Sequence, residues 1–153
     1  MPVMTCEELN SVWSVKRRLE REKRNLVDLQ IMAEPSAPRL DGMPHAHPLT
    51  YKVEGIATMM VDSQRLIDQL GEALAQRKFA LLNKLQSLNL NELQQRVLSY
   101  HYVACLKFKE IAKLMSFTDD YIHFLHRHGL KSLGLSVDIV KKFRKSSENS
   151  LSA

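Results

Sequence analysis

Apolar residues recur along this chain at alternating three- and four-residue steps, the spacing of one helix face. In the first segment they fall at Val12, Val15, Leu19, Leu26, Leu29 and Ala33, with Glu22 the one polar position in the series. Thr5 and Glu8 precede the series with the spacing of a capping box, in which each side chain reaches the other's backbone N–H. The pattern predicts a helix from about Thr5 to Ala33. A second series, Val53, Ile56, Met60, Ile67, Leu70, Leu74, Leu81, Leu85 and Leu88, predicts a long helix beginning near Thr50, with Ser63 and Arg77 interrupting the stripe. Between them Pro35, Pro38, Gly42, Pro44 and Pro48 cannot continue a helix, so residues 34–49 read as a loop. Two seams of similar length joined by one loop suggest an antiparallel, coiled-coil-like helical hairpin over residues 1–88. Alone it buries a single stripe, which makes a homodimer a fair expectation.

The pattern then shortens. Asn89 and Glu92 form another capping pair ahead of Leu93, Val97, Leu98 and Tyr102. A short helix, Phe108 to Met115, carries Ile111, Ala112 and Leu114 on one face. Phe117 is the apolar residue of the following turn. Thr118 caps a longer helix reaching about Leu133, with Ile122, Leu125, Leu130 and Leu133 on its inner face and Gly134 placed to end it. Ala112 is small, which allows the two helices to cross closely. This is the packing logic of a helix-turn-helix, whose second helix enters the DNA major groove. Val137 to Lys145 suggests a final short basic helix, and residues 146–153 a frayed, Ser-rich tail. The whole chain reads as all-α: a hairpin over 1–88, a helix-turn-helix bundle over 89–145, and a flexible tail.

Charge sharpens this picture. Residues 90–153 hold 10 basic and 6 acidic side chains, whereas residues 1–89 hold 12 and 11. A basic C-terminal half suits a polyanionic partner, although a solvated surface would carry the same excess. The 5 glycines and 5 prolines are few for an all-β fold. Apolar runs fall far short of the about 20 residues of a membrane span, and residues Met1 to Leu9 lack the features of a signal peptide. A cytoplasmic protein is therefore expected. Two cysteines, Cys6 and Cys105, make no disulfide framework. Cys105, between apolar neighbours, reads as a small buried residue.

The stretch from Leu88 to Leu133 resembles region 4 of bacterial sigma factors. The matching residues are Leu93, Val97, Leu98 and Tyr102, then Glu110, Ile111 and Ala112, then Thr118, then Gly129, Leu130 and Leu133. More widely, Asp41-Gly-Met-Pro-His-Ala-His-Pro-Leu-Thr-Tyr-Lys-Val53, the long helix and Leu125-His126 resemble a family of small phage and prophage proteins of Gram-positive bacteria. The chain is also similar to ArpU-type regulators of phage late genes. The resemblance implies a phage-encoded, DNA-binding transcriptional regulator in the host cytoplasm, with double-stranded DNA and host RNA polymerase as partners. His126 matches a family position, where it implies a packing or capping role.

Position on the second helix makes Thr118, Asp119, Asp120, Tyr121, His123, Phe124 and Arg127 outward-facing. DNA contacts are expected from Thr118, Asp120, Tyr121, His123, Phe124 and Arg127, with Lys107, Lys109 and Lys131 against phosphates. Further phosphate contacts are open to Lys113, Lys141, Lys142, Arg144 and Lys145. Base edges are usually read by Arg, Lys, Asn or Gln, so Asp119 and Asp120 depart from the sigma pattern. An acidic residue can accept from cytosine, but the departure leaves a rival reading open: an interaction module, or an inhibitor of a host complex, that keeps the fold without reading DNA.

Other chemistry finds little support. His45 and His47, and His123, His126 and His128, cluster in sequence. A structural zinc site wants four ligands, usually with cysteine, and neither cysteine is near. His45 instead suits a hydrogen bond within its Pro-flanked loop. No P-loop, dinucleotide glycines, nucleophile elbow or carboxylate pair occurs. No catalytic residue, metal, cofactor or small-molecule substrate is therefore expected, and no membrane partner.

Overall fold

The computed structural model describes residues 4–34 and 49–151, with backbone alone for 49–53 and 150–151. All regular structure among these residues is helical. Helix α1 spans Cys6–Ala33 and α2 spans Leu49–Ser87. Helix α3, Glu92–Leu98, runs directly into a π-helical turn, Ser99–Val103. Helices α4, Phe108–Met115, α5, Asp119–Ser132, and α6, Val137–Leu151, follow. No helix among the described residues is long and apolar enough to cross a membrane.

The caps explain most boundaries. Thr5 N–H donates to Glu8 Oε2 at 2.8 Å, and Glu8 N–H donates to Thr5 Oγ1 at 3.1 Å, the expected capping box. Asn91, not Asn89, caps α3: its Oδ1 accepts from Leu93 N–H at 3.3 Å. Gly134, at φ +75°, ends α5. Leu135 N–H reaches the Leu130 carbonyl at 2.9 Å and Gly134 N–H reaches that of Lys131 at 3.0 Å, which satisfies the last carbonyls in a Schellman motif. Helix α2 begins at Leu49, so Thr50 lies within its first turn. Helix α6 continues past Lys145 to Leu151 where a frayed tail is expected; Ser147 Oγ donates back to the Phe143 carbonyl, so this serine is accommodated on the helix. The Gly42-Met43-Pro44-His45 loop, His47 and the rest of 35–48 lie outside the described residues.

The chain divides into two compact units, Arg17–Glu72 and Met1–Lys16 with Ala73–Ala153. This differs from a division at residue 88, because the start of α1 and the end of α2 belong with the C-terminal helices. The Arg17–Glu72 unit buries Leu19, Leu29, Ser63 and Leu70. Ser63, an interruption in the apolar stripe, is inside, and its hydroxyl has no hydrogen-bond partner.

The other unit has two cores. One joins Leu9 and Val12 of α1, Leu81 and Leu85 of α2, Leu98, Tyr102, Leu130, Leu133 and Val140. Lys84 and Glu8 form an ion pair at its edge. The second core comprises Val97, Ile111, Ala112, Ile122 and Leu125, with Leu93, Tyr100, Phe108 and Met115 packed against it. Helix α5 passes close to α3: a Cβ at Gly129 would sit 3.1 Å from Leu98 Cδ1. The π turn matters here. An extra residue in the turn shifts helical phase, and consecutive side chains His101 and Tyr102 are both buried. Cys105, at φ +58°, then closes the turn, with Leu106 N–H donating to the Tyr100 carbonyl at 3.0 Å. As expected, Cys105 is buried.

Candidate nucleic-acid interface

Two short helices and the turn between them build the outward face of α5. At the start of α4, Lys107 N–H donates to Glu110 Oε2 at 2.8 Å. Ile111 and Ala112 face inward, whereas Leu114 is 63% exposed and does not share their face as the spacing suggested; Met115 packs there instead. The reason is angular, since Leu114 lies two residues beyond Ala112 and thus about 200° around the helix. Ser116, at φ +57°, closes α4 by donating its N–H to the Ala112 and Lys113 carbonyls. Thr118 Oγ1 then accepts from Tyr121 N–H at 3.3 Å, and α5 begins. Ile122, Leu125, His126, Gly129 and Leu130 turn inward.

The nine residues singled out from sequence are all exposed: Lys107, Lys109, Thr118, Asp120, Tyr121, His123, Phe124, Arg127 and Lys131. They do not form one patch. Tyr121 and Phe124 stack at 6.1 Å between ring centroids, with Phe117 against Tyr121 and His128 against Phe124, in one aromatic strip. Asp120, His123 and Arg127 form a second strip. That strip is one wall of a cleft of about 500 Å³ whose other wall is α6, through Val137, Val140, Lys141 and Arg144. Lys107, Lys109 and Lys131 line neither the strip nor the cleft. Asp119 and Asp120 occupy the first turn of α5, where they complement the positive end of the helix dipole.

Beneath the cleft lies an aromatic cluster that periodicity alone did not reveal. His101 stacks on Phe108 with centroids 4.2 Å apart, and Phe108 also contacts His123 and His126. The Tyr102 phenol and His126 Nε2 share a 2.8 Å hydrogen bond. His101 Nδ1–H donates to the Leu106 carbonyl at 2.9 Å, and Trp13 Nε1–H donates to the His101 carbonyl at 3.1 Å. Burial pushes the His101 imidazole down to about 4, against the Leu106 bond, which favours the charged form. Burial, reinforced by the charges of His101, His123, Arg144 and Lys141, pushes His126 down to about 3. Burial likewise raises the Tyr102 phenol above its usual range. Both buried histidines are therefore neutral near pH 7, and His126 has the packing role expected of it.

Arg144 closes this cluster. Its guanidinium lies 4.6 Å from the Trp13 ring centre, close enough for a cation–π contact. Its Nε and Nη2 donate to Asn10 Oδ1 at 3.4 and 3.3 Å. The sequence assigned Arg144 only to a basic tail; its partners Trp13 and Asn10, far away in sequence, carry no local signal. Among the described residues, no group of three or more His, Cys, Asp or Glu is arranged to hold a metal ion. Comparison with known proteins found no matching family model, and no curated protein or solved structure with a significant match.

Proposed function

We propose that this chain is a non-enzymatic, DNA-binding transcriptional regulator of the phage type, in which α4, the Ser116–Thr118 turn and α5 act as a helix-turn-helix. The supporting observation is the division of α5 into two faces. Ile122 and Leu125 share a core with Ile111 and Ala112, while Thr118, Asp120, Tyr121, His123, Phe124 and Arg127 are exposed, Tyr121 and Phe124 in one strip and Asp120, His123 and Arg127 in another that borders α6. That is the arrangement a helix needs to enter a major groove. Lys109, Lys113 and Lys131 are exposed on the same two helices, Lys107 is exposed just before α4, and all four supply cations for flanking phosphates. In this reading α1 and α2 form an antiparallel hairpin that serves dimerisation or contact with host RNA polymerase in the cytoplasm.

One observation favours the rival reading. Phe117, Tyr121 and Phe124 are 38%, 37% and 45% exposed, and aromatic residues are enriched where proteins meet proteins. Selection of bound duplexes from a randomised DNA pool separates the two. Enrichment of a defined sequence supports the regulator. No retention of any duplex supports an interaction module that keeps the fold without reading DNA.

A further inference from the structure

The cleft between α5 and α6 is lined by both aromatic and cationic side chains. Its volume, about 500 Å³, lies within the range of small-molecule pockets. Its floor is aromatic: Phe108, with His101, Tyr102 and His126. Among the described residues that line it, Arg127, Lys141 and Arg144 are permanent cations and Asp120 is the carboxylate. Arg144 is held in place by the Trp13 ring and by Asn10, so one cation is ordered before any ligand arrives, and pre-ordering lowers the entropic cost of binding.

A flat aromatic floor and a cationic rim complement one kind of molecule. A planar ring can lie against Phe108 and the imidazoles, while an attached anion meets guanidinium and ammonium donors. The buried imidazoles are neutral near pH 7, so they add aromatic surface rather than charge. We propose that this cleft is a binding site for a small aromatic or heteroaromatic anion, its ring against Phe108 and its carboxylate or phosphate held by Arg127, Lys141 and Arg144. The site requires no DNA, so it stands or falls separately from the proposed function. If both hold, the ligand covers Asp120, His123 and Arg127 and competes with DNA for α5.

The test is calorimetric titration of the full chain with adenosine monophosphate and with naphthalene-2-carboxylate, beside adenosine and inorganic phosphate as controls. Trp13, the sole tryptophan, provides a second readout because Arg144 stacks on it. The expected result is saturable one-to-one binding of at least one aromatic anion with a change in Trp13 fluorescence, and binding of both controls weaker by about tenfold or more. Arg127→Gln with Lys141→Gln, two exposed positions, should weaken that binding by about tenfold or more and leave the thermal midpoint unchanged. Saturable binding of the carboxylate alone, or of the phosphate alone, identifies which anion the rim prefers and supports the site. Failure of both anions to saturate, equal binding of adenosine, or indifference to the double substitution would overturn it.

Discussion

The Tyr102 phenol and the His126 imidazole lie 2.8 Å apart in the interior, and each is the other's polar partner there. Tyr102 is 1% exposed and His126 5%, so little of either side chain meets water in the folded state. Tyr102→Phe should leave His126 Nε2 buried and unsatisfied and destabilise the fold by about 1–3 kcal/mol. Urea denaturation of the two proteins measures the difference; an unchanged midpoint would mean the bond contributes nothing net.

Acid should attack the same cluster. Unfolded, both histidines regain an ordinary value near 6.5; folded, His101 lies at about 4 and His126 at about 3. The folded protein therefore binds fewer protons, and the stability these groups preserve is fully present above about pH 6.5. It falls as pH drops from there towards 4, by about 1.4 kcal/mol per pH unit for each histidine. Thermal midpoints at a series of pH values, with His101→Phe as comparison, would detect it. The variant should show the shallower loss; parallel curves would count against burial of a neutral His101.

Gly129 sits where α5 crosses α3. Alanine there gains about 1 kcal/mol of helix propensity, but its Cβ would lie 3.1 Å from Leu98 Cδ1 and 3.3 Å from Leu98 Cγ. Leu98 is fully buried and cannot swing aside. Gly129→Ala should therefore be net destabilising, by about 1–2 kcal/mol, and Gly129→Val more so. A raised midpoint for the alanine variant would show that the crossing is looser than the distances imply.

Two serines sit where serine costs stability. Ser116 is exposed in the left-handed conformation, at φ +57°, a position glycine occupies without strain. Ser116→Gly should stabilise by about 1 kcal/mol. Ser63 is 6% exposed and its hydroxyl is unpartnered, so Ser63→Ala should stabilise by about 1 kcal/mol as well. Differential scanning calorimetry reads both as higher midpoints. A lower midpoint for Ser63→Ala would imply that the hydroxyl is satisfied by water.

How much of this was legible in the sequence differs from element to element. Thr5 with Glu8, Thr118 and Gly134 act over three or four residues, and each performs the expected capping role. Asn89 and Asn91 offer the same side chain two residues apart, and only backbone geometry selects Asn91. Leu114 was misread because a short helix has too few apolar positions to fix a face. The π turn has no periodic signature of its own, yet it brings His101 and Tyr102 inward together. Asp120, Tyr121, His123, Phe124 and Arg127 are exposed as helical phase implied. The cleft was not legible, because its walls come from the π turn, α4, α5 and α6, and Arg144 takes its orientation from Asn10 and Trp13, far away in sequence.

The proposed docking of α5 on DNA is open to fluorescence anisotropy with labelled duplex, titrated against salt for the native chain and for Arg127→Ala with Lys131→Ala. Affinity for DNA should fall steeply between about 50 and 200 mM salt, and the double variant should bind more weakly with a log–log slope shallower by about 1–2. No binding at about 50 mM salt, or a slope that the double variant leaves unchanged, would rule out α5 as the DNA-docking helix.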